Sequence, residues 1–145
     1  MRSFIVRAFE EHDRERVVEL WHRADLVRSW NDPRRDIDRK LSVDDGMFLV
    51  AAVDGTAVGT VMAGYDGHRG WINYLAVDPE CREAGIGRTL MQHAEQALDD
   101  LGCPKVNLQI RTDNLAAREF YRRLGYLSDE VVSMGKRLVT DEPVE

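Results

Sequence analysis

Two cysteines in 145 residues are too few for a disulfide framework, and neither Cys81 nor Cys103 stands in a CxxC or Cys/His pattern that would hold a metal. Both are expected as free thiols in a reducing compartment, with no metal centre. Long hydrophobic runs are also missing. Nothing nears the roughly 18 apolar residues of a membrane span, and residues 1–7 lack the apolar core of a secretory signal. The expected location is therefore cytoplasmic, with no membrane partner. Positive charge is in deficit: 20 Lys and Arg stand against 26 Asp and Glu, a net charge of −6. That balance argues against a nucleic-acid surface, which needs a basic patch to displace phosphate counterions. It favours cationic ligands such as amines. No repeat, low-complexity tract or Gly/Ser linker divides the chain, so one domain over residues 1–145 is expected, with the tail frayed after about residue 139.

What is present is a regular alternation of strand and helix patterns. Phe4 to Phe9 reads as a strand, and Asp13 can cap a helix whose apolar residues Val17, Leu20, Trp21 and Ala24 recur at helical spacing. Trp30-Asn31-Asp32-Pro33 is a turn, and Pro33 is suited to open a helix through Leu41. Met47 to Val53 and Thr56 to Ala63 flank Asp54-Gly55, the signal for a type I′ hairpin. After the turn at Tyr65–Gly70 comes a strand, Trp71 to Val77. A helix with the stripe Leu90, Met91, Ala94, Ala97, Leu98 and Leu101 ends at Gly102. Lys105 to Arg111 reads as a strand, Asp113 or Asn114 starts a helix that Gly125 ends, and Val131 to Leu138 reads as a last strand. The order β-α-α-β-β-β-α-β-α-β implies an α+β fold with helices on a mixed sheet.

The segment Arg82-Glu83-Ala84-Gly85-Ile86-Gly87-Arg88 carries the chemistry. A strand, a loop with glycines and a helix form an anion-binding device, because the first helical N–H groups lack partners and the helix dipole is positive there. Gly85 and Gly87 let an anion approach the backbone, or else let the helix pack tightly on a strand. Arg82 and Arg88 add positive charge. A P-loop is excluded by the absence of GxxxxGK[ST], and a dinucleotide fingerprint by the hairpin-rich region upstream.

The run Leu75-Ala76-Val77-Asp78-Pro79-Glu80-Cys81-Arg82-Glu83-Ala84-Gly85-Ile86-Gly87 resembles the signature of the GNAT acetyltransferase superfamily, [Q/R]-x-x-G-x-[G/A] after the fourth strand. Asn114-Leu115-Ala116-Ala117-Arg118-Glu119-Phe120-Tyr121-Arg122-Arg123-Leu124-Gly125-Tyr126 resembles the family's second motif, N-x-x-A-x-x-[F/L]-Y-x-x-L-G-[F/Y]. Both occur in the family's order, within a matching succession of elements.

The resemblance implies a mostly antiparallel mixed sheet with helices on both faces and a split between the fourth and fifth strands. It implies acetyl-CoA as co-substrate, without a metal. The pantetheine arm would pair with Leu75, Ala76 and Val77, and the pyrophosphate would lie on Arg82, Glu83, Ala84, Gly85, Ile86, Gly87 and Arg88. Glu83-Ala84 departs from the family's usual Gly then Lys or Arg. A carboxylate there would repel a pyrophosphate if it pointed inward, so Glu83 is expected to face solvent, with affinity modestly lowered. Asn114 would hydrogen-bond the pantetheine region. Tyr121 would be the general acid that protonates the departing thiolate, although in the stripe Ala117, Phe120, Tyr121, Leu124 it also suits a core position.

The implied activity is N-acetyltransfer to a small-molecule or peptide amine by direct attack, without a covalent enzyme intermediate. The family's usual base positions hold Trp71, Asn73 and Gln109, none of which is a base. His68 and Asp66, in the turn entering that strand, are the nearest candidates, in competition with a water chain, although Asp66-Gly67 also makes a good turn. The missing base keeps open a non-catalytic acyl-CoA-binding or sensing module. Only four residues separate Tyr126 from Val131, which suggests an open acceptor pocket rimmed by Trp30, Asn31 and Asp32. Asp32 either attracts an amine or caps the helix at Pro33, and Arg34 and Arg35 could attract a carboxylate. Family resemblance leaves a homodimer open, and no segment of the sequence specifies one.

Overall fold

The computed structural model describes residues 3–82 and 84–142. Five strands form one sheet in the order β1-β2-β3-β4-β5: β1 Ile5–Ala8, β2 Phe48–Val53, β3 Thr56–Tyr65, β4 Gly70–Val77 and β5 Val106–Leu108. The first three pairings are antiparallel and β4–β5 is parallel. The helices are α1 Arg14–Arg23, α2 Pro33–Val43, α3 Ile86–Asp100 and α4 Leu115–Arg123, with 3₁₀ turns at Glu11–Asp13 and Pro79–Cys81. This is the mixed α+β sheet that the element order implies. No helix among the described residues is long and apolar enough to cross a membrane.

Alternation along the strands sends side chains to two cores, one on each face. Phe48 and Val50 pack with Val17, Leu20, Trp21 and Ile37 beneath α1 and α2. Ala51, Val58 and Val61 pack with Leu90, Met91 and Leu98 beneath α3. Each fully buried aliphatic side chain contributes about 1.5–3 kcal/mol. The Asp54-Gly55 turn has φ of 49° and 81°, as a type I′ hairpin requires.

Three expectations are corrected. Asp13 does not cap α1 through its side chain. Its buried carboxylate instead accepts from the Arg7 guanidinium at 2.8 and 3.0 Å and from the Glu10 N–H at 2.8 Å. Val131 to Leu138 forms no strand, because no backbone among the described residues pairs with it. The tail is tied down at Asp141, which is 2% exposed and bonded to Arg39 and to the Asp32 N–H, while residues 143–145 lie outside the described residues.

Candidate functional site

The site is centred on the open half of β4. β5 pairs only with Gly70, Trp71 and Ile72, so the edge of β4 beyond Ile72 is free of a strand partner. The split expected between the fourth and fifth strands is present. Within this stretch the β3–β4 register shifts between Thr60 and Met62, and Tyr74 takes a left-handed φ of 53°. A non-glycine residue is held there by specific contacts. The Thr60 hydroxyl donates to the Tyr74 carbonyl at 2.8 Å and accepts from Trp21 Nε1 at 2.9 Å. The Tyr74 ring stacks on Trp21 with centroids 3.8 Å apart. Leu75, Ala76 and Val77 follow this bulge.

At the end of β4 the chain turns on Asp78, whose carboxylate accepts from the Glu80 N–H at 2.9 Å and from Arg16 at 2.5 Å. Burial pushes the Asp78 carboxyl up, but the Glu80 N–H and the Arg16 and Arg23 guanidinium groups together hold it below the ordinary aspartate range. Gly85 then leads into α3 with φ 78° and ψ 12°. A Cβ at Gly85 would meet nothing within 4 Å, so the glycine is required by the backbone and the space beside it is open. Among the described residues no side chain caps α3, and its first turn has no acidic residue. Arg82 and Arg88 are exposed, without ion-pair partners among the described residues. Glu83, expected to face solvent, lies outside the described residues.

Gly87 has a different reason. A Cβ there would lie 3.2 Å from Phe120 Cζ and 3.6 Å from Val77 Cγ2. The packing alternative therefore describes Gly87, which lets α3 close on α4 and β4, while Gly85 shapes the loop. Gly59 of β3 makes the same allowance for Ile86, whose Cγ2 would lie 2.9 Å from a Cβ at that position.

α4 completes this flank. Asn114 caps it, with Oδ1 accepting from the Ala117 N–H at 3.1 Å. Phe120 makes edge contact with Tyr121, centroids 5.1 Å apart, and Tyr121 with Tyr126 at 5.8 Å. Burial raises the Tyr121 phenol to about 12, and its hydroxyl has no hydrogen-bond partner among the described residues. Arg82, Ala84, Gly85, Ile86, Gly87 and Arg88 thus follow one another at the end of β4, with Phe120 against Gly87 and Tyr121 beyond it beside Tyr126.

The opposite flank is built from the loop before α2. Asp32 caps that helix, accepting from the Arg34 N–H at 2.9 Å. Arg34 pairs with Glu15 at 2.6 Å, and Arg35 lies 3.6 Å from Asp141, so neither guanidinium is free for a carboxylate. Asn31 donates to Asp36 at 3.0 Å, and Asp36 accepts from the Tyr74 hydroxyl at 2.6 Å, which connects the loop to the β4 bulge. Burial and this bond to Asp36 push the Tyr74 phenol well up. The tail closes over the loop: Arg137 donates to Asn31 Oδ1 at 3.0 Å and lies over the Trp30 ring, 5.8 Å from its centroid. Asp141 takes the Arg39 guanidinium at 2.6 Å and the Asp32 N–H at 2.8 Å. The tail is therefore tied along the loop at Trp30, whose ring stays 40% exposed. Bonds from Arg39 and from the Asp32 N–H hold the Asp141 carboxyl well below the ordinary aspartate range.

His68 is not brought to either flank. It is exposed in the turn before β4, where Asp66 accepts from the His68 and Arg69 N–H groups. Four extended residues, about 13 Å, separate Gly70 from Tyr74. Asp66 is the turn-forming residue, held below its ordinary range by those Arg69 and His68 N–H bonds. Among the described residues no three His, Cys, Asp or Glu side chains converge to hold a metal. Sequence reasoning missed Tyr74, Asp36 and Asp141. Tyr74 and Asp36 lay within elements already read from the sequence, but nothing local marks the left-handed φ of Tyr74 or its bond to Asp36.

A family model described as acetyltransferase (GNAT) family matches residues 7–126. Among solved structures, the chain is similar to Ard1 from Thermoplasma volcanium, at 26% identity over 86% of this chain and 82% of that one, with a TM-score of 0.77. It is also similar to the PaiA N-acetyltransferase from Thermoplasma acidophilum in complex with coenzyme A, at 21% identity, 90% and 93% coverage and a TM-score of 0.74. A glucosamine-6-phosphate N-acetyltransferase from Arabidopsis thaliana shares the fold at 23% identity, 94% and 99% coverage and a TM-score of 0.69.

Proposed function

The chain belongs to the GNAT acetyltransferase family, and from that premise we infer that it transfers the acetyl group of acetyl-CoA to a primary amine on a small molecule or peptide. The observation that carries this is the uncapped start of α3, entered through left-handed Gly85, directly beyond the stretch of β4 that β5 leaves open. The residues present fit the co-substrate: an open cradle at Gly85, free helix amides and two unpaired arginines suit a pyrophosphate. Arg82 and the run from Ala84 to Arg88 would hold it. The free edge at Leu75, Ala76 and Val77 would pair with the pantetheine arm. The coenzyme A complex of the Thermoplasma acidophilum neighbour supports the same choice of ligand.

Bound acetyl-CoA supplies an acyl group already activated as a thioester. The chain's own contribution is orientation and proton placement. A main-chain N–H in the open half of β4 would polarise the acyl oxygen. Tyr121 Oη would hold the proton destined for the leaving sulfur: raised to about 12, it stays protonated at neutral pH, above the roughly 8.5 of a thiol. Asn114 keeps its Nδ2 group for the pantetheine amides, because only Oδ1 is used by the helix cap. Trp30, Asn31 and Asp32 would wall the acceptor side, with Asp32 acting as cap rather than as amine ligand. With His68 distant, the amine would lose its proton to water.

Release of free thiol from acetyl-CoA across a panel of amines tests the assignment. Turnover with at least one amine, reduced in Tyr121→Phe, is the expected result. Tight coenzyme A binding with no turnover on any amine, and no effect of Tyr121→Phe, would make the chain a non-catalytic acyl-CoA-binding module on the same fold.

A further inference from the structure

From Ala57 to Ala63 every residue of β3 is buried, and Thr60 is the only one of them with a polar side chain. Thr60 is 0% exposed, and so is Trp21, whose indole N–H can donate but not accept. That N–H takes Thr60 Oγ1 as its acceptor at 2.9 Å. The single hydroxyl proton of Thr60 is thereby left for its other neighbour, the Tyr74 carbonyl at 2.8 Å. Donor count alone fixes the direction of both bonds. Valine would fill nearly the same volume, so packing does not call for the hydroxyl.

The carbonyl that Thr60 holds belongs to the bulge of β4. Thr60 faces Ala76 and Met62 faces Asn73, so two residues of β4, Tyr74 and Leu75, stand against the single Val61. Tyr74 is fastened there at three points: its ring by Trp21, its hydroxyl by Asp36 and its carbonyl by Thr60. The first two fasten a side chain. Only the Thr60 bond acts on the main chain. The Tyr74–Leu75 peptide is trans and planar, so its carbonyl and its N–H point in opposite directions, and holding one sets the other. That N–H lies where the edge of β4 is left open by β5.

We propose that Thr60 is a positioning residue for acetyl transfer: through the Tyr74 carbonyl it orients the Tyr74–Leu75 peptide so that the Leu75 N–H polarises the acyl oxygen of bound acetyl-CoA. The proposal rests on the acetyl-CoA reading of the site. Thr60 itself is buried within the sheet and acts only through β4.

Infrared spectra of bound acetyl-CoA, isotopically labelled at the acyl carbonyl, read that polarisation directly, alongside turnover, acetyl-CoA affinity and thermal melts. On binding to the wild type the carbonyl band should move to lower frequency. Thr60→Val should lose the band shift and lower kcat about tenfold, with the Kd for acetyl-CoA unchanged within about twofold. Thr60→Ser, which keeps the hydroxyl, should retain both the shift and the rate. Thr60→Cys, a weaker donor in the same place, should fall between them, and it keeps the series readable if Thr60→Val does not fold. Leu98→Ala, a cavity in the core beneath α3, should lower the melting temperature and leave the band shift intact. An unchanged shift in Thr60→Val and Thr60→Cys would overturn the proposal, as would its loss in Thr60→Ser or Leu98→Ala. A wild type whose bound carbonyl shows no shift would overturn it whatever the turnover. A wild type with the shift, lost in Thr60→Val, but with no turnover on any amine would support the placement of Thr60 and end the enzyme reading. Failure of the wild type to bind acetyl-CoA would overturn both.

Discussion

The two flanks of β4 are held by contacts of opposite range. On the loop flank the bonds at Gly85 and Asn114 are local: the Thr89 hydroxyl to the Gly85 carbonyl spans four residues, and the Asn114 cap spans three. One long bond, Arg16 to Asp78 across 62 residues, anchors the turn before them. On the flank proposed to take the acceptor the bonds are long: Tyr74 to Asp36 spans 38 residues, Arg137 to Asn31 spans 106, and Asp141 to the Asp32 N–H spans 109. The locally built flank suits a constant ligand such as a pyrophosphate. The flank assembled from distant segments can vary its acceptor while the fold is unchanged. Substitutions on each flank should therefore have separable effects.

The largest effect is expected at the loop. In acetyl-CoA at about 100 times Kd the wild type should gain about 2.7 kcal/mol of stability, and Gly87→Glu should gain none. Its side chain would be forced against Phe120 and present a carboxylate to the anion site. Thermal melts with and without ligand measure this, with circular dichroism of the free variant confirming that it folds. A full ligand-induced shift in Gly87→Glu would break the assignment of the loop.

Next is Tyr121→Phe, expected to lower kcat about 100-fold with little change in acetyl-CoA affinity or melting temperature, because the hydroxyl has no partner to lose. With the phenol raised to about 12, its ionisation should not produce an alkaline fall in rate below about pH 11.

On the acceptor flank, Asp141→Asn should raise the acceptor KM about tenfold and leave that of acetyl-CoA unchanged. The latch also has a pH sign. The Asp141 carboxyl is lowered by folding, so its stabilisation is fully present above the ordinary aspartate value, about 3.9, and is lost as pH falls toward the lower folded value. The acceptor KM should therefore show no titration of Asp141 between about pH 5 and 9. Equal changes in both KM values for Asp141→Asn would erase the distinction between the flanks.

The smallest effect is expected for His68→Ala, less than about twofold in kcat/KM, since the exposed turn stands away from the open half of β4. A large loss would restore His68 as the base.

Most elements were legible because their signals are local. Asp54-Gly55 demands its hairpin, Gly102 and Gly125 end their helices with φ of 82° and 98°, and Pro33 opens α2 behind its Asp32 cap. The site was legible on one flank for the same reason, since a left-handed glycine before a helix is written in adjacent residues. Tyr74 was not, because its φ is set by Trp21 and Thr60 from other elements. Asp13 has the residue type of a cap, yet Arg7 captures its carboxylate from the neighbouring strand. Val131 to Leu138 has the composition of a strand, but composition supplies no partner, and pairing decides.

The sequence by itself determined the element order through α4, the turns, the glycine-led entry to α3 and the family, because each rests on residues close together in the chain. The tertiary structure alone decided that Gly87 serves packing while Gly85 serves the loop, that Tyr74 is locked at the bulge, and that the tail is tied to the loop before α2 through Asp141. Those outcomes depend on which distant groups come within hydrogen-bonding or van der Waals reach, and the same residue types in another packing would satisfy themselves differently.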